Sequence, residues 1–416
     1  MPQSRKEGTP MARFTKEMKN THKILVPNML PIHFNLLINV FAQYGYDMEL
    51  LLTDGREVVD EGLKHVHNDT CYPALLVIGQ FMDALGSGKY DPDKTALLIT
   101  QTGGGCRASN YLHLLRKSLA DTYPNVPVIS LNFSGFEKGD GFELSFPLIL
   151  KLLYGVLYGD LLMLLYNQCL PYEINAGDTD KKLAQWEERL AQRINSGKAR
   201  PNKKIYKEII EDFASIERSN EKKPKVGIIG EIYVKYSPLA NNKLEEFLVS
   251  EGCEPVMPGL LDFCLYCVNN NVKDGEIYNF RSAWTFGNKI VYKILNKMHR
   301  TMIKAIEEHG EFDPPHDFEF LKGEADKYIH QGVKMGEGWL ITAEMAALAQ
   351  TGVENIICTQ PFGCLPNHIV AKGMSRVIKE NFPHANIVAI DYDPGATKVN
   401  QENRIKLMLA NAVKGE

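Results

Sequence analysis

The stretch Val353-Glu-Asn-Ile-Ile-Cys358-Thr-Gln-Pro-Phe-Gly363-Cys364-Leu-Pro-Asn-His368 decides the fold class. Residues 353–357 read as a short buried strand, a run rich in β-branched residues that follows Gly352. Cys358 ends that strand. Pro361 and Gly363 mark a loop, Cys364 follows, and Pro366 opens a helix. Two thiols therefore sit where a strand hands over to a helix. In an open parallel α/β sheet that edge is where ligands bind. The helix start offers unpaired N–H groups and positive potential to an anionic group. A thiolate, or an iron–sulfur cluster of net negative charge, suits such a place. The competing reading is a pair of buried apolar cysteines.

Outward from this stretch the chain repeats one rhythm. Residues 23–27 form a strand, 31–44 an amphipathic helix and 47–52 a second strand, with a turn region over 55–62. Strand, helix, strand at this spacing predicts a βαβ unit and a parallel sheet. Cys71 precedes Pro73 and a helix over 74–85, so it too lies beside a helix start. A strand over 95–100 leads into Gln101-Thr-Gly103-Gly104-Gly105-Cys106-Arg107, and a helix over 111–120 follows. Three glycines in a row let the backbone approach a ligand and expose its N–H groups. The spacing is neither of the two phosphate-binding glycine patterns, and the loop ends in Cys106 rather than Lys-Ser/Thr. A loop that wraps a cluster is favoured over a nucleotide loop. Residues 126–131 add a strand, with 132–141 as its exit loop. After a helical stretch, a second α/β unit begins at Lys225 with an exit loop over 231–237, and its last strand covers 387–391.

The bulk numbers set limits. The 416 residues are too many for one ordinary core, so two or three domains are expected. Hydrophobic content of 44% and charged content of 24% belong to a soluble globular chain. A net charge of −4 and a pI near 6.3 give no basic excess for nucleic acid. Residues 144–170 approach membrane-span length, but Pro147, Lys151, Asp160 and two glycines interrupt them. A buried or partner-packed helix is expected there, and no membrane association. Residues 1–23 are polar and charged without an apolar leader, so a flexible tail over 1–22 and a cytoplasmic location are expected. In that compartment cysteines stay reduced, and eight of them call for metal or packing rather than disulfides. The expected domains are 23–143, a helical segment over 144–220, and 221–416.

Four cysteines share one context: Cys71, Cys106, Cys358 and Cys364 each lie beside a helix start, two in each α/β unit. If the units face each other, the sulfurs can converge. Converging intracellular thiolates bind zinc or iron–sulfur. Structural zinc uses tight local pairs, whereas these are dispersed, which favours a cluster between domains. Cys264 and Cys267 have metal-ligand spacing, but their flanks read as a buried helix, and packing is the stronger reading. His67 and His368 lie close in sequence to Cys71 and Cys364 and read as structural. Asp391, Asp393 and Gly395 form an exit loop that either holds a ligand or caps the last helix. Arg107 either places positive charge at the site or caps a surface turn. A zinc-containing or nucleotide-binding protein built on the Gly103 loop is the weaker alternative.

At Asn68-Asp-Thr-Cys71-Tyr-Pro-Ala, Gln101-Thr-Gly-Gly-Gly-Cys106-Arg-Ala-Ser-Asn-Tyr111, Gln360-Pro-Phe-Gly-Cys364-Leu-Pro-Asn-His368 and Asp391-Tyr-Asp-Pro-Gly395 the chain resembles the acyl-CoA dehydratase activase-related proteins. These are relatives of the 2-hydroxyglutaryl-CoA dehydratase, benzoyl-CoA reductase and double-cubane cluster proteins, and the resemblance covers about residues 23–412. It implies two flavodoxin-like domains, doubly wound and mainly parallel, with a helical insertion between them. It implies an oxygen-sensitive iron–sulfur cluster, most simply 4Fe-4S, with Cys71, Cys106, Cys358 and Cys364 at positions compatible with its ligands. A double-cubane form would recruit Cys264 or Cys267. Gly103, Gly104, Gly105 and Arg107 then belong to the surroundings of the cluster or substrate. The implied activity is ATP-driven low-potential electron transfer that reduces or dehydrates a thioester-type or other small substrate. That is the chemistry of a 2-hydroxyacyl-CoA dehydratase-like lyase or a low-potential reductase. A separate ATP-dependent activase is the implied electron donor, and an oligomer of like or unlike chains is expected. The alternative is a non-catalytic electron-relay or cluster-carrying subunit.

Overall fold

The computed structural model describes residues 12–67, 69–101, 105–132, 141–279 and 283–412. Eight strands fall into two sheets. The first holds β1 (Lys23–Pro27), β2 (Asp47–Leu51), β3 (Thr95–Gln101) and β4 (Val128–Asn132) in the order β2-β1-β3-β4. The second holds β5 (Lys225–Gly230), β6 (Glu254–Val256), β7 (Asn355–Pro361) and β8 (Asn386–Tyr392) in the order β6-β5-β7-β8. Every pairing is parallel, with Ile24 opposite Met48 in one sheet and Ile229 opposite Cys358 in the other. Helices flank both sheets, so the molecule is α/β with two doubly wound, flavodoxin-like units.

Sequence explains the strands. A parallel strand is covered on both faces and so reads as a continuous apolar run rather than an alternation. β7 is buried at every position, and Ile357 and Cys358 serve opposite faces of the sheet. It runs three residues beyond Cys358, to Pro361, so the strand ends later than the sequence reading placed it. Proline lacks a donor N–H and fits at that last position, after which the Phe362 N–H donates to the Tyr392 carbonyl.

Three local readings are corrected. Residues 55–62, read as a turn region, lie mostly within the helix Arg56–His65. Gly62 is buried there against Leu75 of the helix Tyr72–Gly86, and a Cβ would come within 2.4 Å of the Leu75 carbonyl oxygen. That glycine serves close packing of two helices rather than a turn. The expected exit loop over 231–237 folds instead as the short helix Ile232–Tyr236, capped by the Glu231 carboxylate. Residues 12–22, expected within a tail, include Phe14, which is buried in the first domain core and meets the Phe142 ring edge-on.

The helix Phe146–Cys169 starts at Ser145, whose hydroxyl accepts from the Leu148 N–H at 3.4 Å, with Pro147 in the first turn. It is the one helix among the described residues long and apolar enough to cross a membrane. Here it packs against the helix Pro31–Gln43 of the first domain and against β6 and the helix Leu260–Ile277 of the second. Being apolar on all sides, it needs such covering. Leu157, Leu161, Leu162 and Leu165 are fully buried, each worth roughly 1.5–3 kcal/mol in transfer terms. One carboxylate sits in this wall. Asp160 meets His33 Nε2 at 2.7 Å and accepts from the Leu260 and Leu261 N–H groups at 2.7 and 2.9 Å. It thereby joins the first domain to the start of a second-domain helix, where a negative charge is favoured.

Candidate metal centre

Parallel pairing sends the carboxyl ends of all strands in a sheet to one edge. The loops leaving those edges meet in a seam between the two domains. The Ser237 hydroxyl, after β5, donates to the Asn28 carbonyl, after β1, at 3.4 Å. The Tyr72 N–H donates to the Phe362 carbonyl at 3.1 Å, and Arg56 Nη1 to the Pro394 carbonyl at 2.8 Å. In both sheets the strand order reverses between the first and third strands, which is the switch point where such sheets bind ligands. The two switch points face each other.

Three thiols occupy the seam. Cys71 caps the helix Tyr72–Gly86, and its Sγ lies 3.2 Å from the Tyr111 hydroxyl. Cys106 follows the β3 loop, and its Sγ accepts from the Ala108 N–H at 3.5 Å. Cys364 follows the β7 loop and precedes the turn Leu365–Asn367. Cys71 and Cys364 are each only 4% exposed, so neither is a surface thiol. Two glycines let the loops close. At Gly363, with φ of +78°, a Cβ would stand 3.2 Å from Cys71 Cα and 3.0 Å from Arg107 Nη1. At Gly336, with φ of +62°, a Cβ would stand 3.7 Å from Cys106 Sγ and 3.2 Å from Pro366. Cys106 thus faces the second domain beside the Cys364 loop.

Two buried acids join them. Glu231 leaves β5 and accepts from the Val234 N–H at 2.8 Å, while Glu337 accepts from the Ile232 N–H at 2.9 Å. Burial, then the neighbouring Glu337 carboxylate, pushes the Glu231 carboxyl up to about 8. Glu337 is pushed up by burial as well. Burial raises the Cys71 and Cys364 thiols strongly, and the carboxylates of Glu231 and Glu337 raise both further. Each of these two thiols also feels another seam thiol: Cys106 acts on Cys71, and Cys71 on Cys364. Tyr111 is pushed well up by burial, and its hydroxyl shares a hydrogen bond with the Cys71 thiol. Burial in the seam thus disfavours the charged forms of Glu231, Glu337, Cys71 and Cys364, and a strong cation there would oppose that effect.

Among the described residues, no three histidine, cysteine or acidic side chains are close enough to hold a single metal ion. In a cluster each thiolate binds a different iron, which spaces the sulfurs more widely. None of the eight cysteines is in a disulfide.

The other candidates are placed differently. Cys358 lies within β7, buried in the second-domain core, and its thiol donates to Asn367 Oδ1 at 3.4 Å. Burial, followed by Asp391 and Glu344, pushes it up to about 12. Cys264 and Cys267 lie on the helix Leu260–Ile277, as the reading of their flanks expected. Burial raises both; Cys264 then feels Asp160 and Asp262, whereas Cys267 feels Glu337 and is the nearer to the seam. Gly103 and Gly104 lie outside the described residues. The Gly105 N–H points to Met335 Sδ at 3.3 Å, across the domains. Arg107 Nη1 donates to the Asp69 carbonyl at 3.0 Å. His67 makes an exposed pair with Asp69 at 3.3 Å, and His368 is exposed. Asp391 is held by Gln360 and Arg404, and Asp393 accepts from the Gly395 N–H at 2.7 Å, so that loop is tied internally.

Tyr111, Glu231 and Glu337 carry no mark in the sequence that sets them apart. One signal was present: both β3 and β7 carry Thr-Gln at or next to their carboxyl end and reach a cysteine through glycine, Thr100-Gln101 to Cys106 and Thr359-Gln360-Pro361 to Cys364. That repeat pairs the equivalent strands and separates Cys364 from Cys358. Comparison of the sequence with protein-family models and with curated proteins finds no match to either.

Proposed function

We propose that the chain is an iron–sulfur protein of low-potential electron transfer, with Cys71, Cys106 and Cys364 as cluster ligands between the domains. The observation that carries this reading is the meeting of three thiols from both domains beside two buried acids, a donor set that calls for positive charge. When bound, such a cluster supplies single low-potential electrons, and an iron free of cysteine acts as a Lewis acid. The family resemblance directs this toward reduction or dehydration of a thioester-type substrate, with electrons from a separate ATP-dependent activase.

The chain's own groups have definite tasks in this scheme. Tyr111 and the Ala108 N–H donate to the sulfurs of Cys71 and Cys106, and such donors tune potential. Arg107, exposed in the seam, offers a guanidinium to an anionic substrate group. Glu231, poised near neutrality by burial and by Glu337, holds a transferable proton beside the thiols. A relay role without catalysis is favoured by one feature, the exposed apolar side chains Phe362, Leu365 and Ile369 around Cys364, which suit a docked protein. The helix Phe146–Cys169, by contrast, is largely taken up with packing inside the chain.

Anaerobic reconstitution with ferrous iron and sulfide, then iron counting and electron paramagnetic resonance, tests the ligand set. Cys106→Ala and Cys364→Ala should each lose the bound iron, whereas Cys358→Ala should keep it. A wild-type chain that stays colourless and iron-free, or seam variants that keep full iron, would overturn the reading.

A further inference from the structure

One long helix of the second domain, Ala283–His309, is covered on one side only. Leu295, Asn296, His299 and Met302 are buried, and the helix packs against Leu260–Ile277 and against the helix Lys203–Ala214. The outward side of its first half carries large apolar groups. Trp284 and Phe286 are each 67% exposed, and Ile290, Val291 and Ile294 are exposed as well. Phe286, Ile290 and Ile294 stand four residues apart and form one row. Single exposed apolar side chains are ordinary. Five on the open side of one helix, two of them aromatic, mark a surface that meets something else.

The charge around this side identifies the partner. Residues 277–306 hold six Lys or Arg and no Asp or Glu, in a chain whose net charge is −4. Lys289, Lys293 and Lys297 are exposed and follow the members of the apolar row by three residues each, so the basic row lies next to it round the helix. Lys304, also exposed, continues the basic row. Lys293, Lys297 and Lys304 have no ion-pair partner among the described residues, while Lys289 lies 3.6 Å from Glu276, which Lys273 also holds at 3.1 Å. A second copy of the chain packed here about a two-fold axis would set lysines against lysines, and like charges repel. Exposed indole and phenyl rings beside a row of lysines are instead the pattern of a helix lying in the plane of a lipid surface.

We propose that this helix seats the protein on an anionic lipid surface, with Trp284, Phe286, Ile290 and Ile294 at headgroup depth and Lys289, Lys293, Lys297 and Lys304 against the lipid phosphates. The contact is peripheral, with the helix lying along the bilayer. It departs from the expectation of no membrane association, which was drawn from the interrupted run over residues 144–170. The proposal is independent of the thiol seam and of any metal held there.

Flotation of the full chain with vesicles of phosphatidylcholine mixed with phosphatidylglycerol tests this. The chain should rise with the mixed vesicles, bind pure phosphatidylcholine at least tenfold more weakly, and leave the mixed vesicles as salt is raised. Of the three tryptophans, Trp186 and Trp339 are buried, so Trp284 reports the contact. Its emission should shift to the blue when mixed vesicles are added, and Trp284→Leu should remove the shift. Lys293→Gln combined with Lys297→Gln should weaken binding about tenfold or more. Phe286→Ser combined with Ile290→Ser should do the same. All these positions are exposed, so the variants should keep native circular dichroism. Failure to float with the mixed vesicles, equal binding to pure phosphatidylcholine, an unmoved emission, or full binding by either double variant would each overturn the proposal. A chain that ignores vesicles but forms a dimer, dissolved by Phe286→Ser with Ile290→Ser, would overturn it and assign the face to a second copy.

Discussion

A buried thiol or carboxyl without a counter-charge keeps its proton, and in the seam this makes stability depend on pH. Glu231 has a folded value near 8 against an ordinary 4.5, so between those values the metal-free folded chain holds a proton that the unfolded chain has lost. Stability must then fall as pH rises through that window and level off above it. Urea unfolding of metal-free protein at pH 5.5 and 8.5 should show the decline, and Glu231→Gln should remove most of it. A second residue-scale effect concerns Gly363, whose φ of +78° strains any side chain and whose Cβ would press on the Cys71 backbone at 3.2 Å. Gly363→Ala should cost about 1–2 kcal/mol from the backbone conformation alone. It should also push the loops apart, lowering iron uptake at least tenfold while the helical circular dichroism stays native. Cys106 and Cys364 were legible in the sequence because glycine and proline frame them. Glu231 and Glu337 were not, since each is buried by contacts made far along the chain. Cys358, read as the end of its strand, instead falls inside it, because β7 extends to Pro361, and it turns into the core.

Among the elements, the helix Phe146–Cys169 and its Asp160 tie the two domains together. Its apolar character was plain in the sequence, and so was its interruption by a charge. What that charge does depends on partners from both halves, His33 and the start of the helix Leu260–Ile277. Removing one member of a buried, hydrogen-bonded charge set leaves the rest uncompensated. Asp160→Ala should therefore destabilise the protein by about 3–5 kcal/mol in chemical denaturation. A much smaller effect from Asp160→Asn would contradict the charge-based account, because the amide removes the charge but keeps an acceptor oxygen for the helix start. The misread turn over residues 55–62 belongs to this scale as well. A glycine that allows two helices to touch looks, in sequence alone, like a glycine that breaks one.

For the molecule as a whole, the fold class came from strand–helix alternation, because parallel sheets need that rhythm. Which loops meet could not be read from it, since the meeting depends on how two sheets are turned toward each other. The same strand order occurs twice, β2-β1-β3-β4 and β6-β5-β7-β8, with the carboxyl edges facing inward. Each half then supplies only part of the proposed ligand set, Cys71 and Cys106 from one and Cys364 from the other. The centre works like a lock that needs two keys. On that proposal a bound group would be gripped by both halves at once, so its occupancy would report their contact as well as its own chemistry.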